Sequence, residues 1–240
     1  MDSVSTSPVP EQTRDGNPEQ QPAVAFLIPT YKTPYLTADL LGAAQSCGKF
    51  AGCTFVLLLD AEDPNLLAYR ALVENVREKG LSAGFFIFDG TPYCGKINRV
   101  APIVSAPCLC VLDSTHLPMT ELPFAEAVRK WLAESAEPMR VGTVGEDGSY
   151  PVVTRKFVDR LGYMFHPLCY GRVEAEGWLL SVADALGVLS PISGGSVAQS
   201  SADGVEIVGS SDQEDAAWVS ETLAQTLGDE VERISGYLVR

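Results

Sequence analysis

Short, wholly apolar runs alternate along this chain with stretches whose apolar residues return every three or four positions. Val24, Ala25, Phe26, Leu27 and Ile28 form the first run, which stops at Pro29. A second covers 54–59 and ends at Asp60, a third covers 84–88, and a fourth covers 108–112. Runs of this length without polar alternation suit strands covered on both faces, as in a parallel sheet. Helical spacing fills the intervals: at 36–44, then from Pro64 through Leu67, Tyr69, Leu72 and Val76, then over about 96–105. Proline is tolerated in the first turn of a helix. Strand and helix alternating at this rhythm predict right-handed crossovers and an α/β fold with a mainly parallel sheet.

Beyond residue 116 the order changes. The pattern predicts a helix at 122–136, a strand at 140–144, an acidic turn at 145–149 and a short strand at 152–154. A helix through Phe157 and Leu161 and another at 174–186 follow. Residues 1–22, rich in Ser, Pro, Glu and Gln, offer almost nothing to bury and read as a disordered tail. One domain is expected over 23–188. Residues 189–240 are expected to pack on it: a Ser/Gly-rich loop or linker over about 190–203, an edge strand at 205–208, and an acidic helix at 212–227 with Ala216, Val219, Leu223 and Leu227 on one side.

Composition narrows the function classes. With 46% hydrophobic residues in 240, the chain can bury a sizeable core. Its net charge of −14, with 17 Lys and Arg together, gives no global field toward nucleic acid or anionic lipid. The six cysteines show neither a CxxC pair nor zinc-ligand spacing, so they read as core thiols in a reducing compartment. No secretory signal opens the sequence, and no apolar stretch approaches the roughly 18 residues of a membrane span. A soluble, cytoplasmic protein is expected, in the host cytoplasm if the protein is viral.

Three common chemistries find no motif. A P-loop is absent, Pro29-Thr30-Tyr31-Lys32-Thr33-Pro34 stands where a dinucleotide fold would carry GxGxxG, and no GxSxG elbow occurs. Candidate chemistry gathers instead at expected strand ends, where open α/β sheets bind ligands. Asp60 closes the second strand, with Asp63 in the loop after it. Gly95-Lys96-Ile97-Asn98-Arg99 opens a helix, and Leu112-Asp113-Ser114-Thr115-His116 ends the fourth strand. A carboxylate beside an imidazole there could hold a metal ion carrying a diphosphate, with Lys96 and Arg99 meeting the same phosphates.

In their order and spacing these segments resemble family 2 glycosyltransferases of the GT-A fold. Residues 25–31 resemble the opening strand with its Pro-Thr-Tyr, and 59–64 the acidic loop after the second strand. Residues 95–99 with 112–116 resemble a phage-associated subgroup carrying Lys-Ile/Leu-Asn before Asp-Asp-His. Residues 151–154, Leu161-Gly162-Tyr163 and Trp178 are similar to that subgroup too. The resemblance covers about 23–188.

It implies a GT-A-type, Rossmann-like sheet flanked by helices, with an acceptor-side α+β extension. It also implies hexosyl transfer from a nucleoside diphosphate sugar to a hydroxyl acceptor, inverting and assisted by Mg²⁺ or Mn²⁺. Pro29, Thr30 and Tyr31 would line the nucleobase pocket, with Asp60 accepting from the base and Asp63 nearby. Lys96, Asn98 and Arg99 would face the ribose-diphosphate, while Asp113 and His116 would hold the metal. In Glu174-Ala175-Glu176-Gly177-Trp178, Glu176 would be the general base, with Glu174 in reserve.

Two departures stand out. Ser114-Thr115 replaces the second aspartate of Asp-Asp-His, and 208–212 lacks the histidine that often completes the metal site; His166 is the other of the two histidines. They leave open a degenerate domain that binds a sugar nucleotide or a partner without turnover. A nucleotidyltransferase would want a Gly-rich loop after the first strand, which 29–34 does not supply. A modified-pyrimidine DNA acceptor, conceivable for a phage relative, is opposed by the net charge.

Overall fold

The four apolar runs are neighbouring parallel strands. The computed structural model describes residues 22–114, 116–144, 150–169, 171–193, 195–199 and 226–233. The N-terminal tail, the acidic turn at 145–149, the edge strand at 205–208 and most of the helix expected at 212–227 lie outside them. Strands β1 (Val24–Pro29), β2 (Cys53–Asp60), β3 (Ala83–Phe88) and β4 (Cys108–Val111) alternate with helices α1 (Pro34–Cys47), α2 (Leu66–Glu78) and α3 (Tyr93–Val100). After β4 come β5 (His116–Thr120), α4 (Phe124–Ala133), β6 (Val141–Val144), β7 (Tyr150–Thr154), α5 (Arg155–Leu161), α6 (Arg172–Ala185), β8 (Leu189–Pro191) and β9 (Gly195–Gln199).

The main sheet runs β3-β2-β1-β4-β7-β6-β8. Its first four strands are parallel, and β7 then enters antiparallel to both β4 and β6. This reversal matters for function. Cys110 pairs with Val152 across β4 and β7, so the amino end of β7, at Tyr150, lies beside the carboxyl end of β4. Pro29, Asp60, Phe88 and Asp113 therefore reach the same edge of the sheet as Tyr150.

The continuous apolar runs exist because both faces are covered. Along β1, Val24, Phe26 and Ile28 enter one apolar layer with residues of α1, α2 and α4, while Ala25 and Leu27 enter the other with α3, α5 and α6. In the first layer Phe26 lies 5.0 Å from Phe55, 5.7 Å from Phe50 and 5.1 Å from Phe124 between ring centroids. Local signals set the helix ends. Pro34 sits in the first turn of α1, and Gly48 closes it at φ +66, in the left-handed region. Thr154 caps α5 by accepting from Phe157 N–H at 3.4 Å.

Three expectations change. Helix α2 begins at Leu66, so Pro64 lies in the turn before it and does not open it. Helix α3 begins at Tyr93, earlier than expected, directly after Pro92. The stretch expected as linker is partly strand: β8 pairs with β6, and β9 pairs with β5 from His116↔Gln199 to Thr120↔Gly195. Both strands are short and polar, and β5 contains Pro118, so neither shows an apolar run. Among the described residues no helix is long and apolar enough to cross a membrane.

The packing sets a stability contrast between two glycines. A Cβ on Gly142 of β6 would lie 2.8 Å from Ile192 Cγ1 and Cδ1 and 2.9 Å from Trp131 Cζ2, with Trp131 fully buried. Gly142→Ala is expected to cost about 1–3 kcal/mol as overpacking. Gly177, inside α6 with open space around it, should gain about 0.5–1 kcal/mol as Ala. Thermal melts of the two variants should therefore move in opposite directions, and a neutral Gly142→Ala would contradict the packing described.

Candidate active site

The loop after β1 is built by side chains that the sequence reading assigned to a nucleotide. Thr30 is buried, and its hydroxyl lies 3.1–3.2 Å from the hydroxyls of Thr33, Thr37 and Tyr69. Thr33 N–H also donates to Tyr69 OH, at 2.9 Å. Asp63 is buried as well: its carboxylate accepts from Lys32 N–H at 2.5 Å and from Asn65 N–H and Nδ2 at 2.8 and 3.1 Å. Lys32 has φ +57, and this carboxylate holds its backbone there. Thr30, expected to line the nucleobase pocket, and Asp63, expected nearby, both hold the loop in shape here. Tyr31 is the residue they leave exposed, at 45%. Its ring borders a cleft of about 310 Å³, shared with Asp60, Glu62, Phe88, Thr91 and Pro92. Pro29 ends β1 at the same edge.

A larger hollow of about 360 Å³ lies at the opposite, amino-terminal edge of the sheet, between Ala44, Phe50, Gly52 and Leu81, with Lys79 as its charged side chain. Ligands of open α/β sheets bind at the carboxyl ends of the strands, and the titratable groups gather there too. The smaller cleft is therefore the candidate.

Helix α3 carries three polar residues, of which Lys96 and Arg99 bond side chains of the cleft and Asn98 does not. Lys96 is buried and pairs with Asp60, Nζ to Oδ2, at 2.6 Å, which joins the second strand end to the helix. Arg99 is exposed and donates from Nη1 to Thr91 Oγ1 at 3.3 Å. Asn98 is used structurally: Nδ2 donates to Phe165 O at 2.7 Å, and Oδ1 accepts from Met164 and Phe165 N–H at 2.9 and 3.0 Å. Both ends of the carboxamide are engaged by the 164–165 backbone, where a contact with the ribose-diphosphate was expected.

The acidic centre forms where β4, β7 and α6 meet. Asp113 Oδ1 accepts from His116 N–H at 2.8 Å, and His116 Nδ1 lies 3.1 Å from both carboxylate oxygens. Tyr150 OH donates to Oδ2 at 3.1 Å, and Arg172 Nη1 donates to the same oxygen. Arg172 Nε also donates to Glu176 Oε1 at 2.7 Å, and the guanidinium sits over the Tyr150 ring, 4.7 Å from its centroid.

Burial pushes the Glu176 carboxyl up to about 7; Arg172 pulls against that shift and Asp113 adds to it. Burial likewise raises the Tyr150 hydroxyl, reinforced by Asp113. It works against the Arg172 charge, but Glu176 and Asp113 outweigh it and hold the guanidinium protonated. The Tyr93 hydroxyl, buried in the same electrostatic surroundings, has no hydrogen-bond partner among the described residues.

Arg172, Tyr150 and Tyr93 were not foreseen. Arg172 carried a usable signal, since it precedes Glu176 by four residues on one helix, the spacing of a facing ion pair. Tyr150 carried none, because its position depends on the antiparallel entry of β7. Glu174 and Glu176 part company: two residues apart on a helix, they do not face the same way. Glu176 joins the Asp113 centre, whereas Glu174 lies against Gly171, where an added Cβ would meet its Oε2 at 2.6 Å. Trp178 is core, packed 5.1 Å from the His166 ring and 5.7 Å from Tyr163.

The expected Mg²⁺ or Mn²⁺ at Asp113 and His116 does not fit this arrangement. An ionised carboxylate has about four lone-pair positions, and protein donors surround those of Asp113. His116 turns Nδ1 toward Asp113, so one ion held by both would have to displace that contact. Among the described residues no group of three or more His, Cys, Asp or Glu is placed to hold a metal. Arg172 fills the space between the two carboxylates.

No family model matches this chain, and no curated protein matches it in sequence. Solved structures do share its fold. The S. aureus TarS fragment 1–349 in complex with UDP-GlcNAc superposes with a TM-score of 0.63 at 11% identity, covering 90% of this chain and 71% of that one. The mannosyltransferase PcManGT from Pyrobaculum calidifontis, in complex with GDP-Man and Mn²⁺, gives a TM-score of 0.52 at 14% identity, covering 72% of this chain. The chain spans 54% of that enzyme's length and 39% of the longer TarS structure. The fold is thus of the GT-A type, a mostly parallel sheet flanked by helices. These structures lend no support to the narrower phage-associated subgroup.

Asn98 tests the local construction. Asn98→Ala strands the Met164 and Phe165 N–H groups, and unsatisfied buried groups cost about 1–3 kcal/mol each. A clear fall in Tm is expected, with faster amide exchange at 164–165. Unchanged exchange there would contradict the clamp.

Proposed function

We propose that this chain is a glycosyltransferase that moves a hexosyl unit from a nucleoside diphosphate sugar to a hydroxyl acceptor, with inversion. The observation that carries the reading is Glu176, a largely buried carboxyl raised to about 7 and bonded through Arg172 to the strand-end Asp113. General bases work best with a pKa near the operating pH. The cleft of Tyr31 and Asp60 on the same edge supports a donor site, and sugar nucleotides named with the fold's solved relatives point the same way.

In this reading the base stacks on Tyr31 and donates an N–H to Asp60, whose other contact, Lys96, fixes its orientation. The diphosphate lies toward α3, with Arg99 on that side. Glu176 accepts the proton of the acceptor hydroxyl as its oxygen attacks the anomeric carbon. The bond from that carbon to the diphosphate oxygen breaks as the new one forms, so configuration inverts. No step passes through a divalent cation. The phage-associated subgroup remains part of the reading only through the motifs at 95–99 and 112–116.

A second reading rests on Ser114, which is buried where the subgroup carries its second aspartate. A domain that has lost that charge would bind a sugar nucleotide without turning it over. Donor binding with no hydrolysis or transfer at any pH would select it.

The pH dependence distinguishes them. Glu176 acts as base only when deprotonated, so turnover of the donor should rise with pH through about 7 and level off above it. Glu176→Gln should remove that limb and lower kcat by about 10²–10⁴-fold, the usual contribution of a general base. A wild-type profile that is flat through neutrality, or full activity in Glu176→Gln, would exclude Glu176 as the base.

A further inference from the structure

The acidic centre already holds a cation of its own. Arg172 donates Nε–H to Glu176 at 2.7 Å and Nη1–H to Asp113, and the Tyr150 ring supports its plane from one side, 4.7 Å away. Two carboxylates from different elements, the end of β4 and the second turn of α6, therefore share one guanidinium. Those carboxylates are the oxygen donors that a divalent ion would require, with the His116 imidazole beside them. A half-buried acid pair left without a cation would have to take up a proton, so a fixed positive charge here favours the ionised form of both. Arginine suits it, because its rigid fork satisfies two oxygens on different residues and stays charged when buried.

We infer that Arg172 is the resident cation of this site and does the electrostatic work of a divalent metal, so that nucleoside diphosphates bind here without one. The inference rests on the glycosyltransferase reading for its ligand, but not for its cation. Arg172 brings one positive charge where Mn²⁺ would bring two, so diphosphate binding is weaker than in a metal-loaded site and indifferent to metal. Replacement of the second aspartate by Ser114-Thr115 agrees with this: one fewer carboxylate suits a monovalent partner. Fixed on α6, the guanidinium also ties the position of Glu176 to that of Asp113, since the same group bonds both.

Two measurements on the full chain test it. In the first, Mn²⁺ is titrated and its free-ion electron paramagnetic resonance signal recorded. The wild type is expected to leave the signal at its buffer intensity, whereas Arg172→Ala, which releases Asp113, His116 and Glu176, should deplete it. Arg172→Lys keeps a charge and should exclude Mn²⁺ as the wild type does, which covers the case in which Arg172→Ala fails to fold. Depletion of the signal by the wild type overturns the inference.

In the second, uridine and guanosine diphosphate binding is measured calorimetrically in EDTA and in Mn²⁺. Equal affinity in both conditions, with a fall of about tenfold or more in Arg172→Lys as one charge-assisted fork is lost, supports it. Binding that requires Mn²⁺ overturns it while leaving the glycosyltransferase reading intact. Binding of neither nucleotide in either condition overturns that reading along with the diphosphate half of this one.

Discussion

Arg172 bridging Asp113 and Glu176 is the interaction on which the functional end of the molecule depends. Three ionisable groups lie half-buried at one point, where pairing offsets the loss of part of their hydration. The pairing fixes more than itself. It anchors the start of α6 to the carboxyl end of β4, and the antiparallel entry of β7 adds the Tyr150 hydroxyl to Asp113. It also sets Glu176 in a largely dry environment, where its carboxyl titrates near neutrality instead of in the acid range. Further along α6, Trp178 and Leu179 bury the apolar face that keeps this end of the helix in place.

A second, smaller pair performs the corresponding task on the other side of the edge. Lys96 and Asp60 link α3 to β2, and Asp63 and Thr30 lock the intervening loops so that Tyr31 stands outward. The candidate site is therefore assembled from the ends of four parallel strands, the start of β7 and two helices, with few side chains that meet a ligand and more that hold those in position. Asn98 belongs to the second group, since it fastens the 164–165 turn to α3.

Much of the fold was legible because β1 to β4 are buried on both faces, and such strands announce themselves as unbroken apolar runs. The β5–β9 ribbon was not, because short polar strands joined across a long separation leave no periodic trace. At the site, sequence could place Asp60, Lys96, Asp113 and Glu176 on the right elements. It could not show that the carboxylate of Asp63 and the amide of Asn98 are consumed by backbone groups, since hydrogen-bond saturation depends on neighbours distant in the chain. The Arg172–Glu176 pair lay within reach through its i, i+4 spacing, whereas its third member, Asp113, comes from 59 residues away.

The most direct measurement is a crystal structure of the protein soaked with a uridine diphosphate sugar in the presence of EDTA. Electron density for the nucleotide along the carboxyl edge is predicted, with the base against Tyr31 and Asp60 and the diphosphate reaching toward Arg172. Density at the opposite edge near Lys79, or at this edge with the sugar remote from Glu176, would contradict the account.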